Sequence, residues 1–125
     1  MNQIVHWVGI DVSKAQLDGH IRPAAAAFQV SNTEAGIATL GQRLQQLQPV
    51  FVVMEATGGL EIPAAVALGS AQIPVAVVNP RQVRDFAKAT GKLAKTDAID
   101  AQVLAHFAEA VQPEVRLIAN EASQQ

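Results

Sequence analysis

No cysteine occurs among the 125 residues, which excludes disulfide staples and thiolate metal ligands and fits a reducing cytosol. Basic charge is not in excess either. Nine Lys and Arg against eleven Asp and Glu leave a formal net charge of −2, so the chain as a whole is no generic polyanion binder. The opening MNQIVHWVGID lacks a basic leader, and His6 and Asp11 interrupt its apolar stretch. It reads as neither a signal peptide nor a membrane span, and a soluble, cytoplasmic protein is expected. Internal repeats, low-complexity blocks and linker-like segments are missing as well. Apolar side chain, by contrast, is plentiful. Half of the residues are hydrophobic and 16% are charged, which suits one domain with a substantial core, leaves no room for two, and argues against wholesale disorder.

The apolar residues fall into distinct runs. Residues 4–12, IVHWVGIDV, are too apolar and β-branched for a surface loop and read as a buried strand. Residues 16–22 and 26–32 follow closely, with turn signals at Asp18-Gly19 and Pro23, and continue as an antiparallel meander. A Ser/Asn/Thr cluster opens a helix near Thr33, where Leu40, Leu44 and Leu47 recur at helical spacing and Pro49 is the stop. Strands are expected again at 50–55 and 74–79. Between them a helix runs from about Leu60 to Ala71, with Pro63 tolerated in its first turn. Two helices follow, roughly 80–90 and 97–111. The domain is expected to span 1–118, and the tail 119–125, ANEASQQ, has little to hold it down. Continuous apolar strands flanked by helices suit a sheet covered on both faces. An α/β chain in which a three-strand meander precedes alternating helices and strands of one mixed sheet has the element order of the ribonuclease-H-like fold.

Four carboxylates stand out by position. Asp11 ends the first strand, Glu55 ends the run VFVVM, and Asp97 and Asp100 precede the last apolar run. In a helix, three residues rotate by about 300°, which would set the last two on neighbouring faces. Each also has a purely structural account. Asp11 suits a turn start, Glu55 is the first polar residue after a core strand, and Asp97 and Asp100 suit a helix N-terminus. In a ribonuclease-H-like sheet, however, the ends of the first and fourth strands are neighbours and the last helix crosses near them. Clustered carboxylates raise one another's pKa unless a cation neutralises them. Hard oxygen ligands with no Cys and no nearby His point to Mg²⁺ or Mn²⁺. Two such ions about 3.5–4 Å apart serve phosphodiester chemistry.

Basic charge is unevenly placed. Arg81, Arg84, Lys88, Lys92 and Lys95, five of the nine basic residues, fall within fifteen positions. In a helix over 80–89, Arg81, Arg84 and Lys88 share one face. That face is either a solvated helix side or a stripe for nucleic-acid backbone, with Asn79 and Gln82 as added hydrogen-bonding groups. Trp7 reads as core packing, and His106 as structural.

The stretches GIDVSK (9–14), MEATGG (54–59), VVNPRQVRDFAKATGKLAKTDAIDA (77–101) and LAHFAEAV (104–111) strongly resemble the N-terminal domain of the DEDD transposases. These form the insertion-sequence one-ten group, which includes the pilin-gene invertases. The resemblance implies a RuvC-like nuclease domain that uses divalent metal, with the acids of the motif on Asp11, Glu55, Asp97 and Asp100. It implies DNA cleavage and rejoining in transposition, a structured bridge RNA as a possible guide, and homo-oligomers of the full-length protein. It also implies a C-terminal transposase domain, absent from this chain, whose serine is the nucleophile; complete recombination by these residues alone is not expected. Two other readings stay open. Sugar kinases and actin-like ATPases also place an Asp after a first strand, though Val12 stands where their glycine would be. A non-catalytic assembly module using the apolar last helix is the third.

Overall fold

A computed structural model describes residues 4–91 and 99–115. Among these, the elements run β1 (His6–Val12), β2 (Gln16–Arg22), β3 (Ala26–Ser31), α1 (Glu34–Gln45), β4 (Val50–Glu55), α2 (Ile62–Ser70), β5 (Val75–Val78), α3 (Pro80–Ala89) and α4 (Ala101–Val111). The strands form one sheet in the order β3-β2-β1-β4-β5. β1–β2 and β2–β3 pair antiparallel, whereas β1–β4 and β4–β5 pair parallel. This is the mixed sheet expected from the apolar runs, with the ribonuclease-H-like arrangement of meander and parallel strands. Among the described residues no helix is long and apolar enough to cross a membrane.

Successive residues of a strand point to opposite faces, and the two cores sort accordingly. Val8, Ile10 and Val12 of β1 and Val50, Val52 and Met54 of β4 bury against Leu40 and Leu44 of α1 and Leu68 of α2. On the other face Val53, Ala76 and Val78 pack with Val83, Ala87, Leu104 and Phe107 of α3 and α4. Trp7 and Phe51 join this second core, their rings 5.6 Å apart. The same alternation puts Asp11 and Glu55 on the α4 side of the sheet. Gly9 lets α4 lie directly on β1: a Cβ there would run into the helix backbone at Ala101 and Ala105. Arg22 Nε donates to Glu109 Oε1 at 2.6 Å, tying β2 to α4. Phe86 joins α3 to α4, standing edge-on to Phe107 and to His106.

The helix starts follow from capping. Thr33 accepts from Gly36 N at 3.1 Å at the head of α1, and Asn79 accepts from Arg81 N at 2.8 Å at the head of α3. Pro63 sits in the first turn of α2, where its missing N–H costs nothing.

Two expectations fail. Asp18-Gly19 is not a turn but the middle of β2, opposite Asp11 and Ile10. The reversal is at Ser13–Ala15, where the Ser13 backbone N–H and hydroxyl both donate to Gln16 O at 3.0 Å. Glycine stands at position 19 because the Phe28 ring on β3 fills the space a Cβ would need. The last helix begins at Ala101 rather than near 97. Asp100 is extended (φ −123, ψ −179), and its Oδ1 accepts from Val103 N at 3.0 Å, which makes it the N-cap. Asp97, Lys92 and Lys95 lie outside the described residues, as does the tail 119–125.

Candidate active site

Parallel pairing aligns the acids at the strand ends. Ile10 is opposite Met54 in the β1–β4 ladder, so Asp11 and Glu55, the next residue in each strand, leave the sheet side by side. Asp18 lies across β1–β2 from Asp11. Asp100 heads α4, the helix that crosses β1 at Gly9.

These groups act on one another's charge. Burial lifts the Asp11 carboxyl above its ordinary value, and the negative charges of Asp18 and Asp100 lift it further. Burial likewise lifts Glu55, with a second push from Asp11 that Arg84 partly offsets. Among the described residues, Glu55 Oε2 is the buried side-chain oxygen without a hydrogen-bond partner. A buried carboxylate oxygen left in that state is costly, and the neighbouring acids add repulsion rather than relief.

Of the four acids expected from the sequence, Asp11 is in electrostatic reach of both Glu55 and Asp100. The fourth, Asp97, is not among the described residues, and within those residues no three acidic or histidine groups already form a metal-binding set. The donor chemistry nonetheless suits a divalent cation. The groups are hard carboxylate oxygens, one of them buried and unpartnered, in a neighbourhood of negative charge that Arg84 offsets only in part.

Of the basic residues, Arg81 and Lys88 are exposed on α3 and Arg84 is half-buried, within electrostatic reach of Glu55. Asn79, expected as a spare hydrogen-bonding group, has its side-chain oxygen engaged in capping α3, while Gln82 is exposed.

Two acids escaped the sequence reading. Asp18 was hidden by the turn chemistry of Asp-Gly, although alternation along β2 sets it on the same face as Asp11. Glu61, buried at the start of α2, accepts from Thr57 and Gly59 in the loop after Glu55. Its only sequence signal is a lone acid between Gly58-Gly59 and an apolar helix.

No curated protein matches the chain at a significant level. The family profile of DEDD transposases of the IS110 type (DEDD_Tnp_IS110, transposase) matches residues 8–125. That span takes in all the strands and helices described above except the first two residues of β1, and it includes the acids at the ends of β1 and β4. The chain belongs to the IS110-type DEDD transposases, a ribonuclease-H-like family with a role in DNA transposition.

Proposed function

We propose that this chain is the metal-dependent DNA-cleavage domain of an insertion-sequence transposase, and that Asp11, Glu55, Asp97 and Asp100 hold Mg²⁺ or Mn²⁺. The observation that carries this reading is the buried, unpartnered Glu55 Oε2 beside a second raised carboxyl, Asp11. A cation bound there supplies charge neutralisation at the scissile phosphate and activation of the attacking oxygen. The chain's own contribution is placement. The β1–β4 ladder sets Asp11 and Glu55 at one edge before any ligand arrives, and Gly9 lets α4 bring Asp100 close. Arg84 moderates the charge on Glu55. Arg81, Arg84 and Lys88, continued by Lys92 and Lys95, hold nucleic-acid backbone, either DNA or a guiding bridge RNA.

These acids hold the metal and leave the role of nucleophile to another group, and assembly into oligomers brings DNA ends together. The family match does not favour the ATPase alternative.

Calorimetric titration of Mn²⁺ into the chain tests the reading. Binding is expected in the wild type and absent in Asp11→Asn, with circular dichroism unchanged. The same substitution in the full-length protein is expected to abolish DNA cleavage. No Mn²⁺ uptake at millimolar concentration by the wild type, or cleavage retained by Asp11→Asn, would overturn it.

A further inference from the structure

Glu61 is not one of the family's four acids, yet it is the one charged side chain that is buried among the described residues, with 7% of its surface exposed. Its Oε1 gathers three donors: the Thr57 backbone N–H at 3.0 Å, the Thr57 hydroxyl at 3.0 Å and the Gly59 backbone N–H at 3.1 Å. Burial on its own would raise the Glu61 pKa. The donors from Thr57 and Gly59, with its own backbone N–H, outweigh burial and hold the carboxyl below its ordinary value. Glu61 is therefore an internal anion, and the loop is wrapped around it.

The wrapping needs unusual backbone. Gly58 and Gly59 adopt φ of 73° and 106°, a region that side chains disfavour. Glycine takes up this backbone without strain, and it does so next to the site, because only Ala56 separates Glu55 from Thr57. Ala56 N donates to Val78 O at 2.9 Å, so the chain is still fastened to β5 there. Glu55 is thus held from two sides. The β4–β5 ladder, in which Glu55 faces Val78, grips it from the strand, and the Glu61-bound turn grips it from the loop. Without the second grip, the end of β4 would relieve the repulsion between Glu55 and Asp11 by fraying toward water.

We infer that Glu61 is a positioning residue for Glu55: its carboxylate locks the Thr57–Gly59 turn and keeps Glu55 beside Asp11 while no cation is there to draw the two together. The inference rests on the metal-site reading above. A carboxylate held ready in this way binds a cation without first being ordered, so loss of the brace weakens binding even where the fold survives.

The test uses the 125-residue chain with Mn²⁺ alone as the probe. It compares wild type, Glu61→Ala, Glu61→Gln and Thr57→Val by calorimetry and by amide hydrogen exchange. The Val52 amide, which donates to Pro74 O, reports whether the sheet is intact. Glu61→Ala is expected to weaken Mn²⁺ binding about tenfold or more, the usual scale when a group orienting a metal ligand is removed. It also speeds exchange at Thr57 and Gly59 while Val52 stays protected. Glu61→Gln, which keeps a carbonyl acceptor, falls between it and wild type in both measurements. Should Glu61→Ala not fold, Thr57→Val removes only the hydroxyl bond and is expected to give a smaller loss of affinity in an intact sheet. Variants with a protected Val52 that bind Mn²⁺ as tightly as wild type, despite fast exchange at Thr57 and Gly59, would remove the positioning role and leave the metal site standing. A wild type that takes up no Mn²⁺ would remove both.

Discussion

Asp11 and Glu55 are each pushed upward by burial first and by neighbouring carboxylates second, so the metal-free fold works against their ionisation. In the unfolded chain these groups titrate near 3.8 and 4.5. The folded state keeps their protons to higher pH, and stability is lost as pH rises from those values through the raised ones. Neutralising Asp11 should therefore help the fold. Asp11→Asn is expected to raise the thermal midpoint of the chelator-treated chain at neutral pH, with a gain that shrinks toward pH 3.8, measured by thermal unfolding across a pH series. A gain that does not vary with pH would show that charge is not its source. Glu61 has the opposite sign. Its lowered pKa contributes stability above about 4.5 that is lost as pH falls through the folded value. Two half-buried acids of the site region thus work against the fold and a third, fully buried, braces it, a division that residue type alone does not reveal.

Helix α4 shows what was readable in the chain and what was not. Its apolar run and its approach to the site follow from the sequence, since the run LAHF buries Leu104, Ala105 and Phe107. Its start does not, because Asp97 and Asp100 are both good first-turn residues by composition. Short acidic side chains compete for backbone N–H groups, and Asp100 wins by capping from an extended backbone. Asp100 therefore has two separable roles. Asp100→Ala should cost about 1 kcal/mol of stability through loss of the cap. Asp100→Asn keeps an acceptor for Val103 N, so it should unfold like wild type in denaturant while losing Mn²⁺ affinity. An Asp100→Asn variant with unaltered Mn²⁺ binding would leave capping as its whole purpose. Asp11 and Glu55 were legible because each interrupts a continuous apolar strand at its end. Asp18 was not, because Gly19 is present for the Phe28 ring rather than for a reversal.

Over the whole molecule, a net charge of −2 conceals a division of labour. Acids collect at the ends of β1 and β4, while α3 presents Arg81 and Lys88 to solvent. Arg84 is less useful as a probe of nucleic-acid contact, because reversing it would also disturb Glu55. Lys88→Glu is the cleaner variant. If Lys88 touches a phosphate, this change should lower the slope of log affinity against log salt by about one, read from DNA or RNA binding over a salt series. An unchanged slope would return α3 to a merely solvated surface.

The parallel alignment of β1 with β4 also bears on how such a chain can vary by inheritance. Removing one codon from β4 ahead of Glu55 would swing that carboxylate to the opposite side of the sheet, toward α1 and α2, and no change of residue type could bring it back. An extra codon in the Ser13–Ala15 reversal would leave it where it is. Descendants of this gene are free to drift in length at the Ser13–Ala15 reversal, but the reading distance along β4 is something they have to keep.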